Sequence, residues 1–252
     1  CVMSILHIQL PRLKFKHVLQ GFTDEIEEIY YDDFYRISLP IVRVALVLGI
    51  CLYSLFGILD IWIVPIHKNA VWIIRYAVVC PALAATLVLT YFDIFKKYMQ
   101  PLLSVVGFMA GTGIVFMIGI SVESEPGFKF YYAGVMLVII WVYSLVRLRF
   151  IYATAVSLLI TVGYEINAVF VNGLLATPDN TMVFINNNFF FIGANILGMF
   201  ACFTIEWYMR KNFLLREEIT KANNLNSKYL HNIREGLLLI NSEYVIMNQY
   251  SS

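Results

Sequence analysis

The stretch EWYMRKNFLLREEITKANNLNSKYLHNI, residues 206–233, decides the fold. Glu206-Trp207-Tyr208 close a long apolar run, and Arg210-Lys211 form a basic stop after it. Beyond that stop the residues stay helix-compatible but turn polar, as far as Gly236, where Leu-Leu-Leu-Ile begins a different pattern. Everything before residue 206 reads as membrane. A helix leaving a membrane bundle and running straight toward a cytoplasmic domain is a device for passing a conformational change inward.

Composition supports the membrane reading. Of the 252 residues 60% are hydrophobic and 14% charged, whereas soluble domains average about 25% charged. The formal net charge of +1 points to no nucleic-acid partner. Cys51, Cys80 and Cys202 lie inside apolar runs, Cys1 stands apart, and no CxxC pair suggests a disulfide framework or a zinc site. His7, His17, His67 and His231 are scattered, which argues against paired haem ligation. Residues 1–10 lack the basic flank and cleavage site of a signal peptide. The chain starts at Cys1 and stops in mid-pattern at Ser252, so a fragment of a longer protein is expected.

Six apolar runs approach the roughly 20 residues a spanning helix needs: residues 39–64, 71–92, 101–121, 131–146, 150–171 and 184–208. The fourth is the shortest, and its aromatic ends, Tyr131-Tyr132 and Trp141-Tyr143, suit a membrane interface. Arg36, Arg43, Lys96, Lys97, Arg147, Arg149, Arg210, Lys211 and Arg216 flank one side, and Lys68 and Lys129 the other. The basic side is expected in the cytoplasm, with both termini, at a bacterial inner membrane. The outer loops, at 65–70, 122–129 and 172–185, are too short for a folded sensor domain.

The expected fold is therefore an all-α integral membrane bundle of six transmembrane helices (38–209). An N-terminal cytoplasmic segment (1–37) precedes it, a cytoplasmic linker helix (210–234) comes after it, and residues 235–252 open a truncated α+β domain. In the N-terminal segment Thr23 and Asp24 suit a helix start. Ile26, Ile29, Tyr30 and Phe34 then recur at helical spacing. That helix either lies on the inner membrane surface or is a solvated linker. In 210–234 the residues Leu215, Ile219 and Ala222 fit a heptad seam continued by Tyr229 and Ile233, with Asn226 on the same seam. The seam suggests a parallel homodimer; a single exposed helix is the alternative.

Polar residues inside spans are costly and are functional candidates by default. Thr154, Ser157, Thr161, Glu165, Ala168 and Asn172 form one small and polar stripe on the fifth run. Asn188, Asn195, Gly198 and Cys202 do the same on the sixth, and Gly107 and Gly111 make a GxxxG step in the third. Glu165 lies 16 residues beyond Arg149, about 24 Å along a helix. Asp60, Arg75, Asn167 and Asn186-Asn187-Asn188 share that outer level. These positions suggest a polar pocket built from Asp60, Arg75, Glu165, Asn167, Asn188 and Asn195, with Arg75 paired to Glu165 or Asp60, able to hold a small unidentified ligand. The alternative is that they only join helices by hydrogen bonds worth about 0.6 kcal/mol each. Glu206, Leu215, Ile219, Ala222 and Asn226 are the expected coupling residues. Apart from the bilayer, no metal or cofactor is implied in this stretch.

The segments YRISLPIVRVALVLGICLYSLFGILD, KKYMQPLL, YYAGVMLVII, RLRFIYAT and NNNFFFIGANILGMFACFTIEWYMRKNFLLREE resemble the six-helix membrane anchor ahead of catalytic domains in bacterial class III adenylate/guanylate cyclases. Similar anchors precede sensor histidine kinases. Departure comes after Glu218, where Asn226-Ser227-Lys228-Tyr229-Leu230 replace the cyclase pattern. Leu237-Leu238-Leu239-Ile240, Asn241-Ser242-Glu243 and Tyr244-Val245-Ile246-Met247 resemble the opening hairpin of a PAS-type domain. No catalytic motif of either enzyme is present, and His231 reads as linker. The resemblance implies the input region of a signal-transduction receptor whose output domain, a kinase or a cyclase, would use ATP and Mg. A small transporter or channel, and a passive dimerising anchor, are the alternatives; no inverted repeat supports the former.

Overall fold

The structure, a computed structural model, describes residues 12–236 and is helical throughout, with no strand among the described residues. Its elements are α1 (Lys16–Gln20), α2 (Asp24–Ile63), α3 (Lys68–Trp72), a π-helical segment (Ile73–Val79), α4 (Cys80–Leu89), α5 (Ile94–Ile120), α6 (Pro126–Phe130), α7 (Tyr132–Ser144), α8 (Phe150–Ile166), a second π-helical segment (Asn167–Val171) and α9 (Pro178–Gly236). Six helices are long and apolar enough to cross a membrane: Asp24–Ile63, Lys68–Leu89, Ile94–Ile120, Pro126–Ser144, Phe150–Val171 and Pro178–His231. The PAS-like hairpin expected at 237–247 lies outside the described residues.

The chain divides into two units, Phe15–Tyr208 and a smaller one made of Cys1–Lys14 with Met209–Ser252. The first holds the six-helix bundle. In the second, the described part of α9 carries Leu215 and Ile219 as 45% and 59% exposed apolar side chains.

Helix α2 begins where expected. Thr23 is its extended N-cap, and Asp24, Glu25 and Glu27 place negative charge in the first turn. The Glu27 carboxylate reaches back to accept the Phe22 N–H at 2.7 Å. Gly21 makes room for it, with φ of 84° and a position where a Cβ would sit 3.0 Å from the Glu27 carboxyl. Ile26, Tyr30 and Phe34 are buried against protein, with Phe22 and Tyr30 in edge contact at 5.8 Å. The N-terminal amphipathic helix is thus no separate surface element. It runs unbroken through Pro40 into the first span, a single helix of 40 residues.

Two other boundaries differ from the hydropathy reading, and so does the role of one set of aromatics. The fourth span starts earlier, at Pro126 in the first turn of α6. Its aromatic ends are not an interfacial belt: Tyr131, Trp141 and Tyr143 are 7%, 8% and 3% exposed. Trp141 Nε1 donates to the Ala45 carbonyl at 3.0 Å. The last outer loop is shorter than 172–185, because α9 begins at Pro178, and the Thr177 hydroxyl accepts the Asn180 N–H at 3.3 Å as an N-cap.

The bundle core lies among α5, α7 and α8, and α5 packs most extensively against α8. Lipid is as apolar as a leucine side chain, so close backbone approach and hydrogen bonds must hold these helices together. The GxxxG step supplies the approach. A Cβ on Gly111 would overlap the Ile160 side chain, and one on Gly107 would lie 3.1 Å from Val142 Cγ2. α5 bends at Tyr98, three residues before Pro101, a kink of the kind a helix-interior proline can cause. At the same end Gln100 clasps the turn between α7 and α8. Its amide donates to the Arg147 carbonyl at 3.3 Å and accepts the Arg149 N–H at 2.8 Å. Arg147 is held at φ of 61° in that turn.

Candidate functional site: two intramembrane polar clusters

The first cluster is a buried ion pair. Arg75 and Asp60 are 3% and 0% exposed. Arg75 Nε and Nη2 donate to the two Asp60 carboxylate oxygens, both at 2.9 Å, in a bidentate fork. Nη1 donates to the Tyr53 carbonyl at 2.8 Å, and Nη2 also approaches Met117 Sδ at 3.7 Å. The Tyr131 hydroxyl donates to Asp60 Oδ1 at 2.7 Å. The Tyr53 ring lies 5.0 Å from the guanidinium carbon, and its hydroxyl donates to the Ala110 carbonyl at 3.1 Å. α2, the second span, α5 and the fourth span all meet at this one charge pair.

Local folding explains how a cation reaches the interior here. Arg75 sits in the π-helical segment Ile73–Val79, where the helix widens and turns the residue inward. Gly57 leaves the needed space: a Cβ there would overlap the Tyr76 hydroxyl and lie 3.1 Å from Arg75 Cδ.

The second cluster is a polar seam between α8 and α9. Toward the end of α8, Glu165 Oε2 accepts from Asn188 Nδ2 at 3.4 Å, and the Tyr164 hydroxyl from Asn187 Nδ2 at 2.7 Å. Next, Thr161 Oγ1 accepts from Asn195 Nδ2 at 3.0 Å, while Asn195 Oδ1 accepts from the Tyr143 hydroxyl at 3.1 Å. At the end where α8 begins, Glu206 Oε2 accepts the Phe150 N–H at 2.7 Å, and Glu206 Oε1 lies 3.5 Å from Arg149 Nε. Arg149 Nη2 also pairs with Glu27 at 3.0 Å, tying the start of α2 into the same knot. The carboxylate of Glu206 thus closes the N-terminus of α8, where free N–H groups and the helix dipole favour an anion.

The six positions expected to form one pocket fall in three places. Arg75 takes Asp60 as its partner and makes no ion pair with Glu165. Glu165, Asn188 and Asn195 belong to the α8–α9 seam. Asn167 opens the second π-helical segment and faces α5, where a Cβ on Gly119 would overlap its amide. Tyr53, Tyr131, Tyr164 and Arg149 complete these clusters, although hydropathy and polarity alone do not mark them as site residues, and Thr161 of the polar stripe and Asn187 of the asparagine run join them. For Tyr164 and Asn187 a signal is present, since both neighbour the polar stripes.

Outside the spans a third arrangement joins the loops at 64–67 and 121–125. The Glu125 carboxylate accepts from the Ile66 N–H at 2.9 Å, the His67 N–H at 3.1 Å and the Val122 N–H at 3.1 Å, and meets His67 Nδ1 at 3.0 Å. Burial raises its proton affinity. The bonds from the His67 side chain and from the Val122, His67 and Ile66 backbone outweigh that and hold the carboxyl below the usual carboxylate range. Glu123 Oε1 accepts from Asn180 Nδ2 at 2.9 Å, so the same loop is also fixed to the start of α9.

No group of three or more His, Cys, Asp or Glu able to hold a metal ion occurs among the described residues. Six apolar spans around internal polar clusters define a helical membrane protein with a polar interior. The chain belongs to the MASE8 family, whose model matches residues 58–220 and which is a family of membrane-associated sensor domains. No curated protein and no solved structure matches the chain.

Proposed function

We propose that the chain is the membrane-embedded input region of a bacterial signal-transduction receptor, which relays a change in helix packing through α9 to a cytoplasmic output domain. The observation that carries the reading is α9 itself. It contains the sixth span and continues as helix to Gly236, while its membrane part is hydrogen-bonded to α8 from Asn187 to Glu206. Any stimulus that shifts α8 against α9 moves the helix that leaves the membrane. A stimulus does this only by favouring one packing over another.

In this reading both termini are cytoplasmic, at the inner membrane, and the receptor is a homodimer joined along Leu215, Ile219, Ala222 and Asn226. The output is a histidine kinase or an adenylate/guanylate cyclase that uses ATP and Mg, reached through a PAS-like module. The resemblance of the spans to cyclase and kinase anchors supports this choice.

Inserting alanines after Lys221 in the full-length receptor tests the relay. One added residue turns the downstream part of the helix by about 100°, and seven restore the phase to within about 20°. Relay predicts that output, read as phosphotransfer or cyclic nucleotide in membranes, is altered by one inserted residue and restored by seven. Output indifferent to insertion length would leave a passive anchor.

A further inference from the structure

An open groove of about 410 Å³ runs between α2 and the second span. Val44, Val47, Leu48 and Cys51 of α2 form one wall, and Leu87 and Tyr91 the other. Arg43, half-buried, is the one charged side chain lining it among the described residues. Its depth follows from counting along α2. Arg43 stands 20 residues before Ile63, the last residue of that helix, and so about 30 Å from it along the axis. A hydrocarbon core is about 30 Å thick. Thr90, which follows the last residue of α4, meets Arg43 at the same level. The guanidinium therefore lies at the edge of the core, where lipid phosphates begin. Cys51, at the far end of the groove, lies eight residues further, about 12 Å deeper.

The guanidinium is fixed but not neutralised. Its Nε donates to Thr90 Oγ1 at 3.1 Å and its Nη2 to the Thr90 carbonyl at 2.8 Å. Its carbon lies 4.0 Å over the Tyr91 ring. Thr90 is held in turn, since its hydroxyl donates to the Leu87 carbonyl at 2.7 Å. These bonds use two of the five N–H groups of an arginine and bring no negative charge. At the same end of the bundle Arg36 is paired with Asp33 at 3.2 Å and Lys96 with Asp32 at 2.8 Å. Arg43 makes no ion pair among the described residues, and Asp93, exposed three residues beyond Thr90, does not pair with it.

We infer that this groove binds one anionic glycerophospholipid, whose phosphate Arg43 receives and one of whose acyl chains lies between α2 and the second span. A planar guanidinium matches two phosphate oxygens. Thr90 and Tyr91 already orient this one, so little side-chain freedom is lost on binding. A headgroup with net negative charge is favoured over a zwitterionic one, because the positive charge has no carboxylate partner and a choline would add a second cation beside it. The acyl chain covers Val44, Val47 and Leu48, which are 68%, 47% and 39% exposed. It follows them for most of the depth of one leaflet. A free phosphate ion would lack that contact. The bound lipid touches both helices at the point where Arg43 joins them.

Native mass spectrometry tests this by counting lipids on the full chain after it is stripped of lipid in an uncharged detergent. Dioleoyl phosphatidylglycerol is expected to saturate at one per chain, and dioleoyl phosphatidylcholine to bind about tenfold more weakly. Arg43→Gln should weaken phosphatidylglycerol binding about tenfold or more. Val47→Trp fills the groove, leaves Arg43 in place and should weaken it as much; it carries the test alone if Arg43→Gln fails to fold. Arg36→Gln, which removes a cation already paired with Asp33, should change binding by less than about twofold. Equal retention of the two lipids overturns the proposal. So does retention that survives both groove variants, or that falls as far in Arg36→Gln, which would be attraction to the whole basic end. Displacement by excess glycerophosphoglycerol, the headgroup without its chains, overturns it in favour of a free-anion site.

Discussion

Glu206, near the polar continuation of α9, accepts the main-chain N–H of Phe150, the first residue of the fifth span, at 2.7 Å. One carboxylate thereby closes the open end of α8, and its other oxygen faces Arg149. Replacing Glu206 by Ala leaves a buried N–H without its acceptor and should destabilise the bundle by about 1–2 kcal/mol. Glu206→Gln keeps an acceptor oxygen and should recover most of that loss. Reversible unfolding in mixed micelles checks both.

The Asp60–Arg75 pair makes a sharper prediction. Removing one partner leaves an uncompensated charge in the bundle and should cost about 3–5 kcal/mol. Asp60→Leu combined with Arg75→Met removes both charges, and the double variant should be far more stable than either single one. A double-mutant cycle on thermal unfolding in detergent measures this. Additive losses would mean that the two side chains do not act as a pair.

Acid should open the outer-loop clasp. The Glu125 carboxyl is held below its ordinary value, so its contribution to stability is complete above the unfolded carboxylate pKa, about 4.3. It is lost as pH falls through the lower folded value. Melting temperatures from pH 7 to 3 should therefore drop more steeply for the wild type than for Glu125→Gln, which carries no titrating group there. Parallel curves would assign the acid loss to other carboxylates.

Glycines of the sixth span should separate by what surrounds them. A Cβ on Gly198 would overlap the Tyr143 ring, whereas Gly193 has nothing within 4 Å. Gly198→Val should cost about 1–3 kcal/mol through overpacking, and should break the bond from Tyr143 to Asn195. Gly193→Ala should be neutral, or stabilising by up to about 1 kcal/mol through helix propensity. Comparing the two unfolding midpoints tests the α7–α9 contact directly.

Helical periodicity made the α8–α9 seam readable. Thr161 and Glu165 share one face of a 3.6-residue repeat, Asn188 and Asn195 share another, and two polar faces in lipid have reason to meet. Depth along a helix axis placed Asp60 and Arg75 at one level with Glu165, but depth is a single coordinate. Residues at equal height on different helices can point to opposite sides of a bundle, which is why Glu165 and Asn167 do not reach Arg75. Tyr131 and Trp141 escaped because an aromatic at the end of an apolar run is usually interfacial. Here their polar atoms find Asp60 and the Ala45 carbonyl inside the protein. The π-helical segments have no compositional mark at all, since they are set by how neighbouring helices fit.

The segment Ile73–Val79 makes the second span sensitive to a change in residue count. A π turn behaves as one extra residue lodged in an α-helix, so the parts before and after it keep different angular registers. Deleting a single apolar residue there would leave length, hydropathy and charge almost untouched. It would nevertheless collapse the π turn to α, leaving both flanks on their present faces but turning residues inside the segment, Arg75 among them, by up to about 100°. The pairing of Arg75 with Asp60 thus hangs on chain indexing, and two sequences nearly equal in composition could differ in whether they possess the cluster.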